Sequence, residues 1–272
     1  MPRALNLLRD ACEYRKQCFS DGLRKAGFSI VSELNNPGRQ DLLLIWNRIG
    51  VGAQAAYRFD NIGAKVLVAE NGYYGHTSNS NNKPMNREGE ELFALAIGHH
   101  NGAGQPLTSE PERWIKQGLE MKPMREIAGD GISSALILGQ RGIGESGIAM
   151  PRGWAQQMQV RLTAMGLKCR VREHPGRSPE NATPLLTDLE TVDAAVTWSS
   201  NAGLFAMMNG WPVFSSFPRW IGKYAAPDPI EEKMDDRQIL DCFRDVVLEK
   251  IGQNQWTLSE ISAGVPFASL RS

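Results

Sequence analysis

Four cysteines in 272 residues, at positions 12, 18, 169 and 242, stand apart with no C-x-x-C pair among them. That excludes a disulfide framework and a thiolate zinc site, and reads instead as reduced, partly buried thiols. Charge of one sign is also missing. Thirty Lys and Arg balance thirty Asp and Glu, so no net field draws the chain toward nucleic acid or an anionic membrane. No apolar run approaches the length that crosses a bilayer. The first residues lead into a charged segment with Arg9, Asp10, Glu13, Arg15 and Lys16, without a secretory h-region. A cytoplasmic location is therefore expected. The glycine-rich run at 139–144 follows an apolar run but lacks both Gly-x-Gly-x-x-Gly order and a Gly-Lys-Ser/Thr ending, which weakens dehydrogenase and P-loop readings.

What the chain has is a repeated alternation of short apolar runs with helical or loop segments. Its length suffices for one large domain or two ordinary ones without staples. Leu5, Leu8, Cys12, Phe19 and Leu23 recur at roughly helical spacing and predict one or two helical pieces over 4–26. Strand signals follow at 28–31, 41–46 and 65–70, the last two separated by a small-residue stretch, so this region reads as a β-α-β unit. Loops rich in Asn, Ser and Gly occupy 73–88 and 99–104, on either side of an apolar run at 92–97. A helix is expected over 111–125 and a linker near 121–131.

A second alternation starts at 135: strands at 135–138, 168–172, 194–197 and 212–214, with helices at 151–165, 183–189 and 202–209 between them. The stretch 230–251 reads as amphipathic helix. The fold class is therefore α/β, with two facing Rossmann-like domains and a cleft between them. The domains are 1–125, on the acceptor side, and 126–229, binding the donor, with a helical segment at 230–272 packing back on the first. No solenoid repeat is present.

The residues that can carry chemistry cluster behind strands. Arg172-Glu173-His174-Pro175 follows one, and Trp198-Ser199-Ser200 opens a helix behind another. Open α/β sheets bind ligands at that carboxyl edge. His174 beside Arg172, facing serine hydroxyls and the amides up to Gly203 at a helix start, suits a phosphate. The plainer alternatives are a proline that stops a strand and serines that merely cap a helix. Gln140, Arg141 and Gly142 are candidate contacts to the same ligand. Glu70 ends a strand ahead of Asn71-Gly72, placed as a general base or nucleophile, or else as a solvated turn residue with positive φ at 71 and 72. His99, His100 and Asn101 read as an acceptor-side loop or a plain surface turn. Two adjacent histidines rarely hold a metal without further ligands, so no metal site and no cofactor are expected. Of the tryptophans, Trp46, Trp154 and Trp211 sit in core-like context, whereas Trp114 and Trp220, each beside an arginine, are the better candidates for surface stacking.

In order and spacing, Glu70-Asn71-Gly72, Gly139-Gln140, His174-Pro175 and Ser199-Ser200 resemble the bacterial capsule and lipopolysaccharide Kdo transferases. More broadly they resemble the GT-B sialyltransferase-like enzymes that use CMP-sugars. The stretch 192–213, strand, turn, helix and Gly-x-Pro-Val, is the most specific part. The resemblance spans about residues 40 to 220, and the chain's ends look like compact phage-encoded relatives. It implies a metal-independent glycosyltransferase moving a sugar from a nucleotide-sugar, of CMP or UDP type, to a hydroxyl on a glycan or a hydroxymethylated DNA base. Gln140, Arg141, Gly142, Arg172, His174, Pro175, Ser199, Ser200 and Gly203 would bind the donor. Glu70 and Asn71 would occupy the catalytic motif, with Gly72, Tyr73, His99, His100 and Asn101 on the acceptor side. In the family pattern the second acidic residue is the expected catalytic carboxylate, and here it is Asn71. A non-catalytic nucleotide-sugar sensor and a nucleotide-sugar epimerase are the alternatives. Clustering of Arg48, Arg58, Lys83, Arg87, Arg113 and Lys116 would favour DNA.

Overall fold

The computed structural model describes residues 1–9, 13–78, 83–100, 102–127, 131–175, 183–229 and 243–271. Asn101, Cys12, Cys242 and the first part of the 230–251 helix lie outside the described residues. The chain divides into two compact units, Met1–Leu119 with Glu249–Ser272, and Glu120–Leu248.

The first unit opens on β1 (Arg3–Asn6), not on the helix its apolar spacing predicts, and α1 (Glu13–Lys25) follows. Four residues of buried strand carry too few positions to distinguish period 2 from period 3.6. Next come β2 (Ser29–Val31), β3 (Leu42–Ile45), α2 (Gly50–Asp60) and β4 (Lys65–Asn71). These four strands are parallel, in the order β2-β1-β3-β4. β5 (Thr77–Ser78) and β6 (Pro84–Met85) form a small ribbon, and β7 (Leu92–Ile97) runs antiparallel against β4, with β8 (Gln105–Pro106) off its other end. Only Arg113–Lys116 (α3) is helical within the stretch 111–125.

Because β3 is buried on both faces, its four apolar residues divide by strand alternation. Leu42 and Leu44 join Leu67, Ala69, Phe19 and Phe93 on the α1 face, whereas Leu43 and Ile45 join Val66, Val68, Ala55 and Phe59 on the α2 face. Each fully buried Leu or Phe contributes about 1.5–3 kcal/mol. Asp41, 1% exposed, fixes the amino edge: its carboxylate accepts from the backbone N–H and the guanidinium of Arg3 and from the N–H of Gly38. Burial alone would push this carboxyl up, but those donors outweigh it and hold it below the ordinary range.

The second unit holds β9 (Ser134–Leu138), α4 (Trp154–Ala164), β10 (Lys168–Arg172), α5 (Leu185–Leu189), β11 (Ala194–Thr197), α6 (Asn201–Met208) and β12 (Val213–Ser215). All pairings are parallel, in the order β10-β9-β11-β12. This repeats the arrangement of the first four strands of the other unit. Ala135, Ile137, Val196 and Phe214 pack on Trp154, Met158 and Leu162 of α4. At the amino edge Asp193 accepts from the N–H and hydroxyl of both Ser133 and Ser134, at 2.8–2.9 Å.

The division between units falls within α7 (Arg244–Asn254), after which the chain adds β13 (Gln255–Thr257), antiparallel to β7, and α8 (Leu258–Ala263) to the first unit. Thr257 and Glu260 close a capping box at the start of α8. α8 lies against α1 so closely that a Cβ on Gly22 would come within 1.8 Å of the Ile261 carbonyl oxygen. Buried Gln255 donates to the Tyr74 carbonyl and to Gln117 Oε1, and accepts from the N–H of Tyr73, which ties the loop after β4 to this returning segment.

Candidate functional site

In the second unit the strand order reverses between β9 and β11. The loops leaving their carboxyl ends diverge at that point and leave a crevice, the place where doubly wound sheets take ligands. The Gln140 side chain spans this gap. Its Oε1 accepts from the Ser199 backbone N–H at 2.9 Å, and its Nε2 lies 3.4 Å from Ser199 Oγ. Ser199 is 1% exposed, so the pair is an internal latch that fixes both loops. Gly139 leaves β9 with its N–H bonded to the Arg172 carbonyl at 2.8 Å, which brings the third loop, after β10, alongside.

Behind the latch α6 begins. Ser200 is its N-cap: its Oγ accepts from Ala202 N–H at 3.1 Å while its own N–H donates to Thr197 Oγ1. Ser200 is thus the helix cap, on the less buried side and with the first-turn amides of α6 beside it, and Ser199 is held inside by Gln140. Gly203 has a packing reason for being glycine, because a Cβ there would meet Thr197 Cγ2 at 2.8 Å and the Trp220 ring at 3.1 Å.

His174 and Pro175 are exposed beyond β10. Partial burial lowers the His174 pKa from its ordinary 6.5, and the neighbouring Arg141 charge lowers it further. The cation that bears on His174 is therefore Arg141. Arg172, expected beside it, is committed elsewhere: its guanidinium pairs with Asp188 and donates to the Thr183 carbonyl, and Arg170 holds the other oxygen of Asp188 at 2.7 Å. Burial, with the charge of Arg170, depresses the Arg172 pKa. Gly142 takes φ 64°, a left-handed conformation that favours glycine.

A pocket of about 340 Å³ is lined by Trp154, Gln157, Met158, Arg161, Trp198, Ser216 and Asp228. Trp198 forms its aromatic wall, stacked on Phe217 at 5.4 Å and edge-on to Trp154 at 6.0 Å. Sequence reasoning missed this pocket, since its walls come from four separate segments. Trp220, expected at the surface, is 2% exposed; its ring fills the space left by Gly203 and Gly222.

In the first unit Glu70 and Asn71 end β4, paired with Ala94 and Phe93. Neither Asn71 nor Gly72 takes positive φ, so the alternative of a positive-φ turn there does not hold. The lack of a Cβ at Gly72 admits Leu92 and Pro84, which a Cβ would approach to 2.9 Å. Strand alternation points Glu70 to the α2 face, with Val66 and Val68, and Asn71 to the α1 face. Tyr73 is buried. Its phenol donates to the Glu70 carboxylate and accepts from the Gly102 N–H at 3.1 Å, and burial first, then Glu70, raises its pKa well above the ordinary value. His100 is buried and His99 half-buried. Four of the six basic residues whose clustering would favour DNA are paired with carboxylates: Arg48 with Asp60, Lys83 with Glu91, Arg113 with Glu260 and Lys116 with Glu110. Among the described residues no group of three or more His, Cys, Asp or Glu is placed to hold a metal ion, and no helix is long and apolar enough to cross a membrane.

No protein-family model and no curated protein matches the sequence. Solved structures do match. The beta Kdo 2,4 transferase of Thermosulfurimonas dismutans KpsC is 16% identical with a TM-score of 0.56, over 93% of this chain and 90% of that one. The chain has the fold of a Kdo transferase. The beta Kdo 2,7 transferase of the same KpsC is 12% identical with a TM-score of 0.54, over the whole of both chains. These transferases agree with the expected α/β class, and the likeness runs through both units.

Proposed function

We propose that the protein is a nucleotide-sugar-dependent glycosyltransferase whose second unit binds the donor and whose first unit presents the acceptor, the two serving as the domains of a GT-B enzyme. The observation that carries this reading is the Gln140–Ser199 latch at the crossing point of the second sheet, on a fold shared end to end with Kdo transferases. In this reading Ser200, the first turn of α6, Arg141 and His174 grip the donor phosphate, on loops of which two are tied together by the latch. Gln140 and Ser199 then act as positioning residues. The pocket walled by Trp198 has the size and aromatic lining that a nucleoside of CMP or UDP type requires.

Transfer needs the departing phosphate stabilised while positive charge develops at the sugar carbon. His174 and the helix amides serve the phosphate, without a metal. Glu70, oriented by the Tyr73 phenol, is the carboxylate available to take the acceptor proton. The acceptor is a glycan hydroxyl, a reading supported by the pairing of four of the six basic residues that DNA would need with carboxylates. Asn71, standing where the family pattern has its catalytic acid, favours a second reading: a nucleotide-sugar binder without transferase activity.

An assay of donor turnover separates the two. The enzyme reading expects slow release of nucleotide from a CMP-sugar even without acceptor, reduced at least about tenfold in Glu70→Gln and increased in Asn71→Asp. Donor binding with no turnover in any of the three proteins would establish the binder.

A further inference from the structure

The carboxyl edge of the first sheet carries a cation that its own fold leaves unsatisfied. Arg15, in the first turn of α1, lies over Trp46 at 4.3 Å and over Phe93 at 5.7 Å from the ring centres. Trp46 directly follows β3, and Phe93 pairs with Asn71 at the end of β4. The Arg15 Nε is buried with no hydrogen-bond acceptor, and among the described residues no carboxylate pairs with its guanidinium. A buried N–H without an acceptor is rare and costly unless something outside the fold supplies one. Lys83 lies on the same platform, its Nζ 5.6 Å from the Phe93 ring centre, but is already bonded to Glu91 at 2.9 Å. Its charge is therefore offset, and Arg15 is the gripping group.

The guanidinium packs against the Trp46 ring, and Phe93, whose ring is turned 76° from that of Trp46, flanks it at the longer distance, so two ring contacts hold a group whose N–H donors suit a planar or tetrahedral oxyanion. The group lies beyond the carboxyl end of β3, one of the two strands between which the order of this sheet reverses. Asn71 shares its face of the sheet.

We propose that Arg15, on the Trp46–Phe93 platform, is a subsite for one anionic group of the acceptor glycan, a carboxylate or a phosphate. The assignment rests on the first unit being the acceptor side. The position of Asn71 fits it. A neutral side chain there avoids placing a second negative charge beside the bound anion.

The test needs no donor. Ligand-observed NMR titration of the full chain would compare methyl β-glucuronide, glucose 1-phosphate and neutral methyl β-glucoside. At least one anionic sugar should bind about tenfold or more tighter than the glucoside, and which of the two does so separates carboxylate from phosphate. Arg15→Gln should remove the preference and Arg15→Lys should retain part of it. His174→Ala, in the other unit, should leave it intact even if donor binding is lost, so failure of the donor site and failure of this subsite are distinguishable. Should Arg15→Gln not fold, raising salt from about 20 to 500 mM on the unaltered chain should compress the preference by screening. Equal binding of charged and neutral sugars, or a preference unchanged in Arg15→Gln or by salt, would overturn the proposal. Tighter binding of a single-stranded oligonucleotide carrying hydroxymethylcytosine than of either anionic sugar would overturn the glycan assignment.

Discussion

The two sheets solve the same problem at one edge and diverge at the other. At the amino edge each places an aspartate just before its third strand and uses it to hold the start of its first. Asp41 bonds Arg3 and Gly38 ahead of β3. Asp193 bonds Ser133 and Ser134 ahead of β11. At the carboxyl edge the second unit has the polar latch of Gln140 and Ser199, whereas the first has Arg15 on Trp46 and Phe93. Side chains at the amino edge answer to strand alignment alone, so one device serves both units. Side chains at the carboxyl edge line the crevices where ligands enter, so chemistry separates them.

The largest expected effect concerns what the first unit has and the second lacks, its returning C-terminal segment. Gly22→Ala drives a methyl into the Ile261 carbonyl and should cost about 3 kcal/mol or more. Urea unfolding would show an early transition for the first unit, with the second unchanged. A loss under 1 kcal/mol would mean that α8 is not integral to that unit.

Next in size are the paired aspartates. Asp41→Ala should cost about 2–3 kcal/mol, since Asp41 is 1% exposed and ion-paired. Asp193→Ala, bonded to neutral donors at a wetter site, should cost about 1–2 kcal/mol. Both carboxyls titrate below their ordinary 3.8; for Asp193 as for Asp41, the donors overcome the opposing effect of burial. Their contribution is therefore full above that value and is lost as pH falls through the lower folded pKa values. Equal losses in the two variants, measured by unfolding at neutral pH, would erase the distinction drawn between them.

Smaller still is the effect of the latch on ligand. Gln140→Leu should leave the fold intact and weaken nucleotide binding about tenfold by freeing the two loops. His174 gives the smallest. Its free pKa lies below 6.5, and a bound phosphate favours the cation, so the bound pKa exceeds the free one and binding takes up a proton. Affinity for a CMP-sugar, whose phosphodiester keeps one charge throughout, should therefore rise several-fold as pH falls from about 8 to about 6. The same titration on His174→Gln should be flat.

Much of this was legible in the residues. The four strands of the second unit stand out as short apolar runs bounded by turns, and the three loops at 139, 174 and 199 fall at their carboxyl ends as read. The spacing of Leu5 and Leu8 fits both periods, so β1 cannot be told from a helix by its pattern. β13 depends on a pairing partner about 160 residues away, and the antiparallel sense of β7 on its pairing with β4, neither of which a local pattern encodes. At the site, residue types were readable but commitments were not. Arg172 turns to Asp188, Ser199 is sealed by Gln140, Gly203 answers to Trp220, and Glu70 and Asn71 face opposite sides of the sheet. Each depends on a neighbour brought in by the fold. One local signal was there to be used, the Thr257-x-x-Glu260 capping box that starts α8.

Thermal unfolding of the full chain against a panel of CMP-, UDP-, GDP- and dTDP-sugars tests the central claim, that the second unit is a nucleotide-sugar site. A ligand at one hundred times its dissociation constant should stabilise by about 2.7 kcal/mol. The account predicts a clear rise in Tm with a CMP- or UDP-sugar, lost in the His174→Ala, Ser200→Ala double variant and kept in Glu70→Gln. A well-folded chain that shifts with no donor, or a shift that survives the double variant, would contradict it.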